Sequence, residues 1–262
     1  MEKKTVNVRG ILLGDGIPKV CVPVTAADDD GLDAALLRLS GEPFDLLEYR
    51  ADGASRQDAS CFCRALEKIR ASFPQAPVLF TLRSLAEGGG FAGDETAYEE
   101  LLTAAAEGGN ADLVDVELRT AGDRAAQLTG RLRQLGVKVV GSWHDFEKTP
   151  SVHEMTDILI SMQESGMDIT KLAVMARSKS DVIRLLDAAV QMEERYADRP
   201  CITMAMGTPG QITRLLGGFT GSAVTFASAG YTSAPGQMPS RAVCALRTML
   251  EENVWSQAAG RQ

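Results

Sequence analysis

Long apolar runs are missing from this chain of 262 residues. No stretch approaches the roughly 18 consecutive apolar residues of a membrane-spanning helix, and no apolar core follows the first lysines, as it would in a signal peptide. An excess of positive charge is missing too, because the formal net charge is −8. Nucleic acids and anionic membranes are bound mainly through clustered Lys and Arg, so we expect neither as a partner. The sequence indicates a cytoplasmic protein in which local cations bind any anionic ligand.

Cysteine and histidine patterns that hold metals or disulfides are lacking as well. The five cysteines are an odd set, and the one close pair, Cys61 and Cys63, has C-x-C rather than C-x-x-C spacing. We therefore expect reduced thiols and no disulfide framework. Histidine occurs only twice, as His144 and His153. His153 follows the helix-start signal Thr-Pro-Ser and is predicted to lie on the surface.

Apolar runs of strand length alternate with longer segments of helical periodicity along nearly the whole chain. The eight predicted strands are Val20–Thr25, Leu46–Arg50, Val78–Arg83, Leu113–Leu118, Lys138–His144, Ile169–Val174, Cys201–Met206 and Ala223–Ser228. The predicted helices between them include Asp30–Leu39, Gln57–Ser72, Glu95–Gly108, Gly122–Leu135, Val152–Ser165 and Lys179–Tyr196. Strand followed by helix, repeated eight times, favours a closed parallel (β/α)₈ TIM barrel over a two-domain open sheet.

The segment before the first barrel strand has its own pattern. Thr5–Leu12, followed by the glycines of Gly14–Gly16, predicts a short β-hairpin within about residues 4–17 that closes one barrel end. No low-complexity tract or Pro/Gly-rich linker divides the chain, so residues 1–262 are predicted to form one domain. The end of the chain, after about residue 253, is polar and is expected to fray.

Polar side chains recur at the ends of the predicted strands. Residues two apart on a strand point the same way, and helices cover the outside of a barrel, so polar residues of shared parity should point into the barrel mouth. Such pairs are Glu48 with Arg50, Thr81 with Arg83, Asp115 with Glu117, and Ser142 with His144. Active sites of such barrels are built at the carboxyl ends of the strands, so we interpret this constellation as a catalytic mouth.

Lys171 lies inside an apolar run, DITKLAVM, with Ile169 and Ala173 on its own face. Lysine is rarely fully buried, and a buried lysine among arginines is a candidate nucleophile that forms a Schiff base with a ketone or aldehyde. The carbanion formed beside that imine needs a general base, for which His144 is the candidate. A structural ring of ion pairs is the alternative for the acidic residues, especially Asp115.

Two signals in the sequence compete with this interpretation. Gly88–Gly93 matches the dinucleotide fingerprint G-x-G-x-x-G, but it follows the third strand and is better explained as a flexible loop over the barrel mouth. A metal site is the second alternative, with Glu48, Asp115, Glu117 and His144 as ligands. Four cations oppose a divalent metal there and favour an anionic organic ligand, namely Arg50, Arg83, Lys171 and Arg214.

A set of motifs in this order resembles the type I 3-dehydroquinate dehydratases of the shikimate pathway. The motifs are LLEYRAD, LFTLRSLAEGG, VDVEL, SWHDFEKTP, ITKLAVMARSKSDV, ITMAMG and SAPGQ, and they span nearly the whole chain. The resemblance implies a (β/α)₈ barrel, usually a homodimer, that removes water from 3-dehydroquinate to give 3-dehydroshikimate without metal or cofactor. The small-molecule substrate is the implied partner.

The resemblance also implies roles for individual residues. Lys171 matches the lysine that forms the imine, His144 the general acid/base, and Glu87 its acidic partner. Arg214 matches the arginine that pairs with the substrate carboxylate. The other implied substrate-binding positions are Glu48, Arg50, Arg83, the closing-loop residues Ser233 and Gln237, and the apolar lining residues Met206 and Phe226.

Departures from the family pattern are modest. The first strand carries Pro23 and Thr25 where family members often have a serine near the pocket, which affects expected substrate contacts and leaves the lysine and the histidine unchanged. Two alternatives stay open at this point. Another Schiff-base barrel enzyme, such as an aldolase, would share Lys171 and would bind phosphate through a glycine loop, for which residues 217–223 are a faint candidate. A non-catalytic small-molecule sensor is the other alternative.

Overall fold

The computed structural model describes residues 4–230 and 234–250. Two short strands come first, β1 (Val6–Val8) and β2 (Ile11–Leu13). The barrel strands are β3 (Lys19–Val24), β4 (Leu46–Arg50), β5 (Val78–Thr81), β6 (Leu113–Glu117), β7 (Lys138–Asp145), β8 (Ile169–Met175), β9 (Cys201–Met206) and β10 (Val224–Phe226). The helices are α1 (Asp29–Leu39), α2 (Ala59–Ser72), α3 (Glu95–Glu107), α4 (Leu118–Ala121), α5 (Ala125–Gln134), α6 (Val152–Glu164), α7 (Lys179–Gln191) and α8 (Ser240–Leu250).

The eight barrel strands form one parallel sheet in the order β10-β3-β4-β5-β6-β7-β8-β9. A parallel bridge between Cys201 and Ser222 joins its two edges, and the backbone N–H of Ala223 donates to the Cys201 carbonyl at 2.7 Å. The sheet therefore curls into a nearly closed barrel with helices between successive strands. The predicted (β/α)₈ architecture is confirmed.

The outward faces of the strands and the inner faces of the helices form the main core. Outward side chains such as Val22, Leu47 and Phe80 belong to one buried cluster with apolar helix residues such as Phe62 and Leu102. Several helices start at a side chain that accepts a hydrogen bond from the first turn, as their sequences favour. These caps are Asp28, Asp58, Asp94, Ser151 and Ser178.

The amino-terminal hairpin is present, but its turn differs from the prediction. β1 and β2 pair antiparallel with Val8 opposite Ile11, so the turn is Arg9-Gly10, and the prediction of a turn at Gly14–Gly16 is wrong. Both turn residues have positive φ, 49° and 81°, which is the tight hairpin geometry that favours Asn-Gly sequences. Arg9 adopts this unusual conformation while its Nε binds Asp112 Oδ1 at 2.7 Å.

The hairpin closes the amino-terminal end of the barrel, as predicted. Val6, Val8 and Leu13 pack against the first inward-facing layer of barrel side chains, in a second buried cluster. The layer comprises Cys21, Leu46, Leu79, Leu113, Val140, Ile169, Ile202 and Val224. This end of the barrel is therefore an apolar plug, and it leaves the opposite, carboxyl end for chemistry.

Some predicted boundaries differ from the structure. The predicted helix Gly122–Leu135 divides into α4, a single 3₁₀ turn and α5, because Gly122 has φ 52° and ψ −134°, outside the helical region. The β5 strand ends at Thr81, so Arg83 lies just beyond it. The predicted closing-loop residue Ser233 and the polar tail after about residue 253 lie outside the described residues.

Candidate active site

The inward-facing side chains change character two residues along each strand from the apolar plug. Leu46 is followed by Glu48, Leu113 by Asp115, and Ile169 by Lys171, because alternate residues of a strand share a face. The second layer contains the buried polar residues Glu48, Thr81, Asp115, Ser142 and Lys171. One further step brings in Arg50, Arg83, Glu117 and His144 at the carboxyl end. Strand parity therefore gathers these side chains in one place, as the sequence analysis predicts.

Lys171 is held between two carboxylates and an aromatic ring. Its Nζ lies 3.4 Å from Asp115 Oδ2 and 3.5 Å from Glu48 Oε1. The same Nζ lies 4.4 Å from the centre of the Phe226 ring. Its direct charged contacts are carboxylates, while the arginines expected around it border the same cavity. The lysine is nevertheless buried, at 3% exposed, and reaches the cavity described below.

Arg83 is the centre of the charged network. Its Nη1 lies 2.9 Å from Glu117 Oε1 and 3.3 Å from Glu87 Oε2, and its Nη2 lies 2.9 Å from Asp115 Oδ1. These three carboxylates hold the pKa of Arg83 above its usual value against the effect of burial. One guanidinium thus pairs with three carboxylates. The positive charge of Arg83 is therefore largely compensated within the protein and attracts an anionic ligand only weakly.

His144 and Glu87 form a direct pair. His144 Nδ1 lies 2.8 Å from Glu87 Oε2, so the other ring nitrogen, Nε2, remains for a ligand. Burial lowers the pKa of His144 well below its ordinary value, and Arg83 and Lys171 lower it further. Burial raises the pKa of Glu87, and Glu117 adds to this while Arg83 opposes it. The imidazole is therefore neutral near pH 7, which is the state of a general base.

Glu87 is only partly satisfied by its neighbours. Its Oε1 is buried and has no hydrogen-bond partner among residues 4–230 and 234–250. A buried carboxylate oxygen without a donor is costly when charged. The Glu87 carboxyl is therefore suited to take the Nδ1 proton of His144 when the ring gains a proton at Nε2.

Arg214 differs from the other arginines of the site. It is 3% exposed, and its contacts are the carbonyl oxygens of Phe226 and Pro235, at 3.2 and 3.4 Å, and the sulfur of Met204 at 3.6 Å. No carboxylate in the described part of the chain pairs with it, and its Nε has no partner there. Burial lowers the pKa of Arg214 to about 10, so it stays cationic at neutral pH. A buried, uncompensated guanidinium of this kind is a site for an anion.

Arg50 is oriented by Asp52, a residue that the sequence analysis did not single out. Arg50 binds Asp52 through two hydrogen bonds, Nε to Oδ1 at 2.8 Å and Nη2 to Oδ2 at 2.9 Å. Asp52 also accepts from the backbone N–H groups of Gly90, at 3.1 Å, and Arg83, at 3.4 Å. Its signal in the sequence was the spacing R-x-D, which places Asp52 in the 3₁₀ turn that directly follows the strand ending at Arg50.

Close packing, rather than the expected flexibility, explains the glycines of residues 88–93. A Cβ at Gly89 would lie 2.2 Å from the Arg83 carbonyl oxygen, and one at Gly90 would lie 2.6 Å from that of Asp52. A Cβ at Gly88, whose φ is 78°, would lie 2.4 Å from the Phe146 ring. The glycines are needed because this segment packs closely on the strand ends, and it holds Glu87 against His144.

The catalytic and substrate-binding candidates border one cavity of about 550 Å³, its open mouth included. The structure brings together there every predicted site residue that it describes, namely Glu48, Arg50, Arg83, Glu87, His144, Lys171, Met206, Arg214, Phe226 and Gln237. Five further lining residues were not among the predicted site residues, namely Gly88, Phe146, Ala173, Met204 and Ala234. Three of them, Phe146, Ala173 and Met204, each lie two positions from a predicted one, so strand parity could have found them.

Two other signals from the sequence lead elsewhere. The faint phosphate-loop candidate, residues 217–223, lies at the amino end of the barrel, where Gly217 approaches Pro18 and Ala223 pairs with Cys201. It is therefore remote from Lys171. Within the described ranges, no helix is long and apolar enough to cross a membrane. The carboxylates of the alternative metal site are paired with the cations Arg83 and Lys171.

Comparison with known proteins agrees with this geometry. A family model described as type I 3-dehydroquinase matches residues 20–253. The 3-dehydroquinate dehydratase of Salmonella typhimurium is 42% identical over 248 residues, which cover 94% of this chain and 97% of that protein.

Two solved structures match nearly the whole chain. The type I 3-dehydroquinate dehydratase of Clostridium difficile, solved with covalently modified comenic acid, superposes with a TM-score of 0.92 at 35% identity, covering 96% of this chain and 100% of that one. The 3-dehydroquinate dehydratase of Geobacillus kaustophilus gives 0.92 at 36% identity, covering 97% and 98%. Together with the family model, these matches show that the chain is an enzyme and belongs to the type I 3-dehydroquinase family.

Proposed function

We propose that this enzyme dehydrates 3-dehydroquinate to 3-dehydroshikimate by syn elimination through an imine on Lys171. The observation that carries the proposal is a shared cavity: a buried amine, a neutral imidazole and an unpaired guanidinium all border it. An amine can bond to a ketone, an imidazole can move a proton, and a guanidinium can hold a carboxylate. The covalently modified comenic acid in the Clostridium difficile relative supports a site that reacts with small organic acids.

Substrate binding is assigned first to Arg214. The substrate carboxylate would supply the charge that this buried guanidinium lacks, through two parallel hydrogen bonds. Arg214 donates to the carbonyl of Phe226, whose ring lies over Lys171 Nζ, so a carboxylate there anchors the substrate beside the amine. Glu48, Arg50 and Gln237 border the same cavity and are proposed to bind the substrate hydroxyls. Met206 supplies an apolar wall, and Ser233 is proposed to act with Gln237 in a closing loop.

The proposed reaction begins with a proton passing from the Lys171 ammonium to the substrate carbonyl oxygen. The free amine attacks the ketone carbon and passes a second proton to that oxygen, which departs as water to leave a protonated imine with one N–H. His144 then takes a proton from the carbon beside the imine, and the electron pair forms an enamine. The enamine expels the hydroxyl group, which receives the proton from His144 and leaves as water. Hydrolysis of the remaining imine releases the product and restores Lys171.

The pair of His144 and Glu87 manages both proton transfers in this scheme. His144 can accept a proton at Nε2 because burial and nearby cations keep the ring neutral. The positive charge that then develops is balanced by the Glu87 carboxyl, which holds Nδ1 at 2.8 Å. The raised pKa of Glu87 lets the pair store the proton between its two members until the hydroxyl leaves.

Other expectations about the molecule remain proposals. The scheme uses only side chains of this chain, so we propose that it needs no metal or cofactor. We also propose one domain over residues 1–262, a homodimer and a cytoplasmic location. Light scattering of the purified protein tests the dimer, because a mass of one chain would contradict it.

A turnover assay tests the proposed function against its alternatives. With 3-dehydroquinate we expect the enone absorbance of 3-dehydroshikimate to rise, with and without a chelator. Phosphorylated ketoses and aldoses, the substrates of a Schiff-base aldolase, should give no product. Turnover of a phosphorylated sugar alone would favour the aldolase, and binding of 3-dehydroquinate without turnover would favour a sensor.

A further inference from the structure

Lys171 cannot keep its hydrogen bonds to both Asp115 and Glu48 during the reaction. The ammonium has three N–H groups, so it can face Asp115 at 3.4 Å and Glu48 at 3.5 Å together. The protonated imine has a single N–H, which lies in the plane of its C=N bond. One carboxylate must therefore lose its hydrogen bond when the imine forms, and the surroundings of the two carboxylates indicate which one.

Asp115 is held in place from the side that faces away from the lysine. Its Oδ1 accepts from Ser142 Oγ at 2.6 Å and from Arg83 Nη2 at 2.9 Å, which leaves Oδ2 directed at Lys171. Asp115 is 1% exposed and does not border the cavity, so a substrate cannot reach it. Burial works to raise the pKa of Asp115, but Arg83 and Lys171 lower it below its usual value, so it is anionic.

Glu48 is less restrained and better placed for the substrate. Its Oε1 accepts from Thr81 Oγ1 at 3.0 Å and is also the oxygen nearest Lys171. Unlike Asp115, Glu48 borders the cavity. When the amine becomes an imine, this carboxylate can turn to a substrate hydroxyl without leaving a buried charge unpaired.

We propose that Asp115 is a catalytic residue, which accepts the single N–H of the protonated imine on Lys171 and thereby sets the plane of the C=N bond. The proposal rests on the imine of the proposed function. The Lys171 nitrogen carries a single positive charge both as an ammonium and, later, as a protonated imine. The same carboxylate can therefore balance the charge in both states. A fixed C=N plane also fixes the direction in which the adjacent C–H bond must point for its electrons to enter the enamine. Glu48 is then the residue released to the substrate.

The test compares two isosteric variants, Asp115→Asn and Glu48→Gln. Borohydride trapping at saturating 3-dehydroquinate measures the fraction of Lys171 present as imine, and steady-state kinetics give kcat and KM. Asp115→Asn removes a charge-assisted hydrogen bond from the imine, so we expect kcat to fall by about 10- to 100-fold and the trapped fraction to fall. Glu48→Gln should raise KM while it leaves the trapped fraction near that of the unmodified enzyme.

The opposite pattern would overturn the proposal: a trapped fraction and kcat that survive in Asp115→Asn, or a larger loss of trapping in Glu48→Gln. Because Asp115 belongs to a buried network, Ser142→Ala serves as a second variant. It removes one hydrogen bond that orients Asp115 and leaves Lys171 untouched, so kcat should fall by about 2- to 10-fold with the trapped fraction. If Asp115→Asn does not fold, unchanged kinetics in Ser142→Ala overturn the proposal. An absence of any adduct in the unmodified enzyme would instead remove the proposed imine mechanism itself.

Discussion

The two ends of the barrel are built on the same strands and have opposite chemistry. At the amino end, side chains such as Leu46, Leu113 and Ile169 meet the hairpin residue Leu13 in an apolar plug. Two residues further along those strands the interior carries Glu48, Asp115 and Lys171, all buried. A displacement of two residues along a strand is roughly 6.6 Å, so the change from plug to charged site is abrupt.

This difference separates what stabilises the barrel from what can react. Burying a Leu or Ile side chain contributes about 1.5–3 kcal/mol, so the amino end stabilises the fold directly. Buried charges cost free energy unless they are paired, and pairing at best offsets most of that cost. The carboxyl end therefore adds little to stability. Among the described residues that line the cavity, the two whose charge or hydrogen bonding is incomplete are Arg214 and Glu87, and these groups remain available to a ligand.

The largest effect on activity is expected from removing the amine of the charged end. Lys171→Met should lower kcat by more than about 10⁴-fold, because no imine can form, as with loss of other enzymatic nucleophiles. Thermal unfolding should shift to lower temperature, because the buried carboxylate of Glu48 loses its cation, so kcat is compared at a temperature where the variant is folded. Lys19→Met, at the start of β3 on the amino end, is the matched control and should keep full activity. Residual turnover within about tenfold of the unmodified enzyme would contradict the assignment.

Removing the imidazole should have the next largest effect. His144→Ala is expected to lower kcat by about 10²- to 10⁴-fold, the usual contribution of general acid/base catalysis, while imine formation on Lys171 persists. Borohydride trapping and steady-state kinetics measure the two properties separately. His153→Ala is the control, because that side chain is 86% exposed. Near-normal turnover in His144→Ala would exclude the proposed role.

The unpaired guanidinium should affect binding more than stability. Arg214→Met is expected to raise KM by about 10- to 100-fold through loss of a charge-assisted pair with the substrate carboxylate. Its free energy of unfolding should stay the same or increase, since burial opposes the charge of Arg214. At the amino end, Arg9→Met removes a surface ion pair and should leave KM unchanged. A destabilised Arg214→Met with normal KM would assign the arginine a structural role instead.

The acidic limb of the pH profile of kcat/KM should lie at lower pH than for a histidine with an ordinary pKa. His144 must be neutral to accept a proton, and burial and nearby cations lower the pKa of this ring below its ordinary value of 6.5. A lowered pKa means that protonation begins only at more acidic pH, so kcat/KM should hold its plateau through pH 6.5 and decline below it. Steady-state assays across this range measure the limb. If kcat/KM fell to half of its plateau value at or above pH 6.5, the lowered pKa of His144 would be contradicted.

The smallest effect on activity is expected at the apolar end. Leu13→Ala should lower the free energy of unfolding by about 2–5 kcal/mol, the usual range for a buried leucine, because the hairpin loses contact with the plug. The kinetic constants of the folded enzyme should not change. Chemical denaturation and the turnover assay measure these two quantities. A lower kcat, measured under conditions in which all of the variant is folded, would show that the two ends of the barrel are coupled.

The sequence predicted the barrel because strand and helix periodicities alternate without interruption, and it predicted the site because strand parity groups polar residues. The family resemblance supplied the pairing of Glu87 with His144, but most other partners were not predicted. Arg83 pairs with Asp115 and Glu117, which lie close to it only after the strands close into a barrel. The role of Asp52 depends on a glycine segment distant in sequence, and the Arg9-Gly10 turn departs from the usual turn residues.

The proposed mechanism depends above all on the claim that Lys171 bonds to the substrate. The most direct measurement is intact mass spectrometry of the enzyme after incubation with 3-dehydroquinate and borohydride, followed by peptide mapping. We expect one substrate-derived mass, located on Lys171, and no adduct without substrate. An adduct on another residue, or product formed with no adduct under trapping conditions, would contradict the claim.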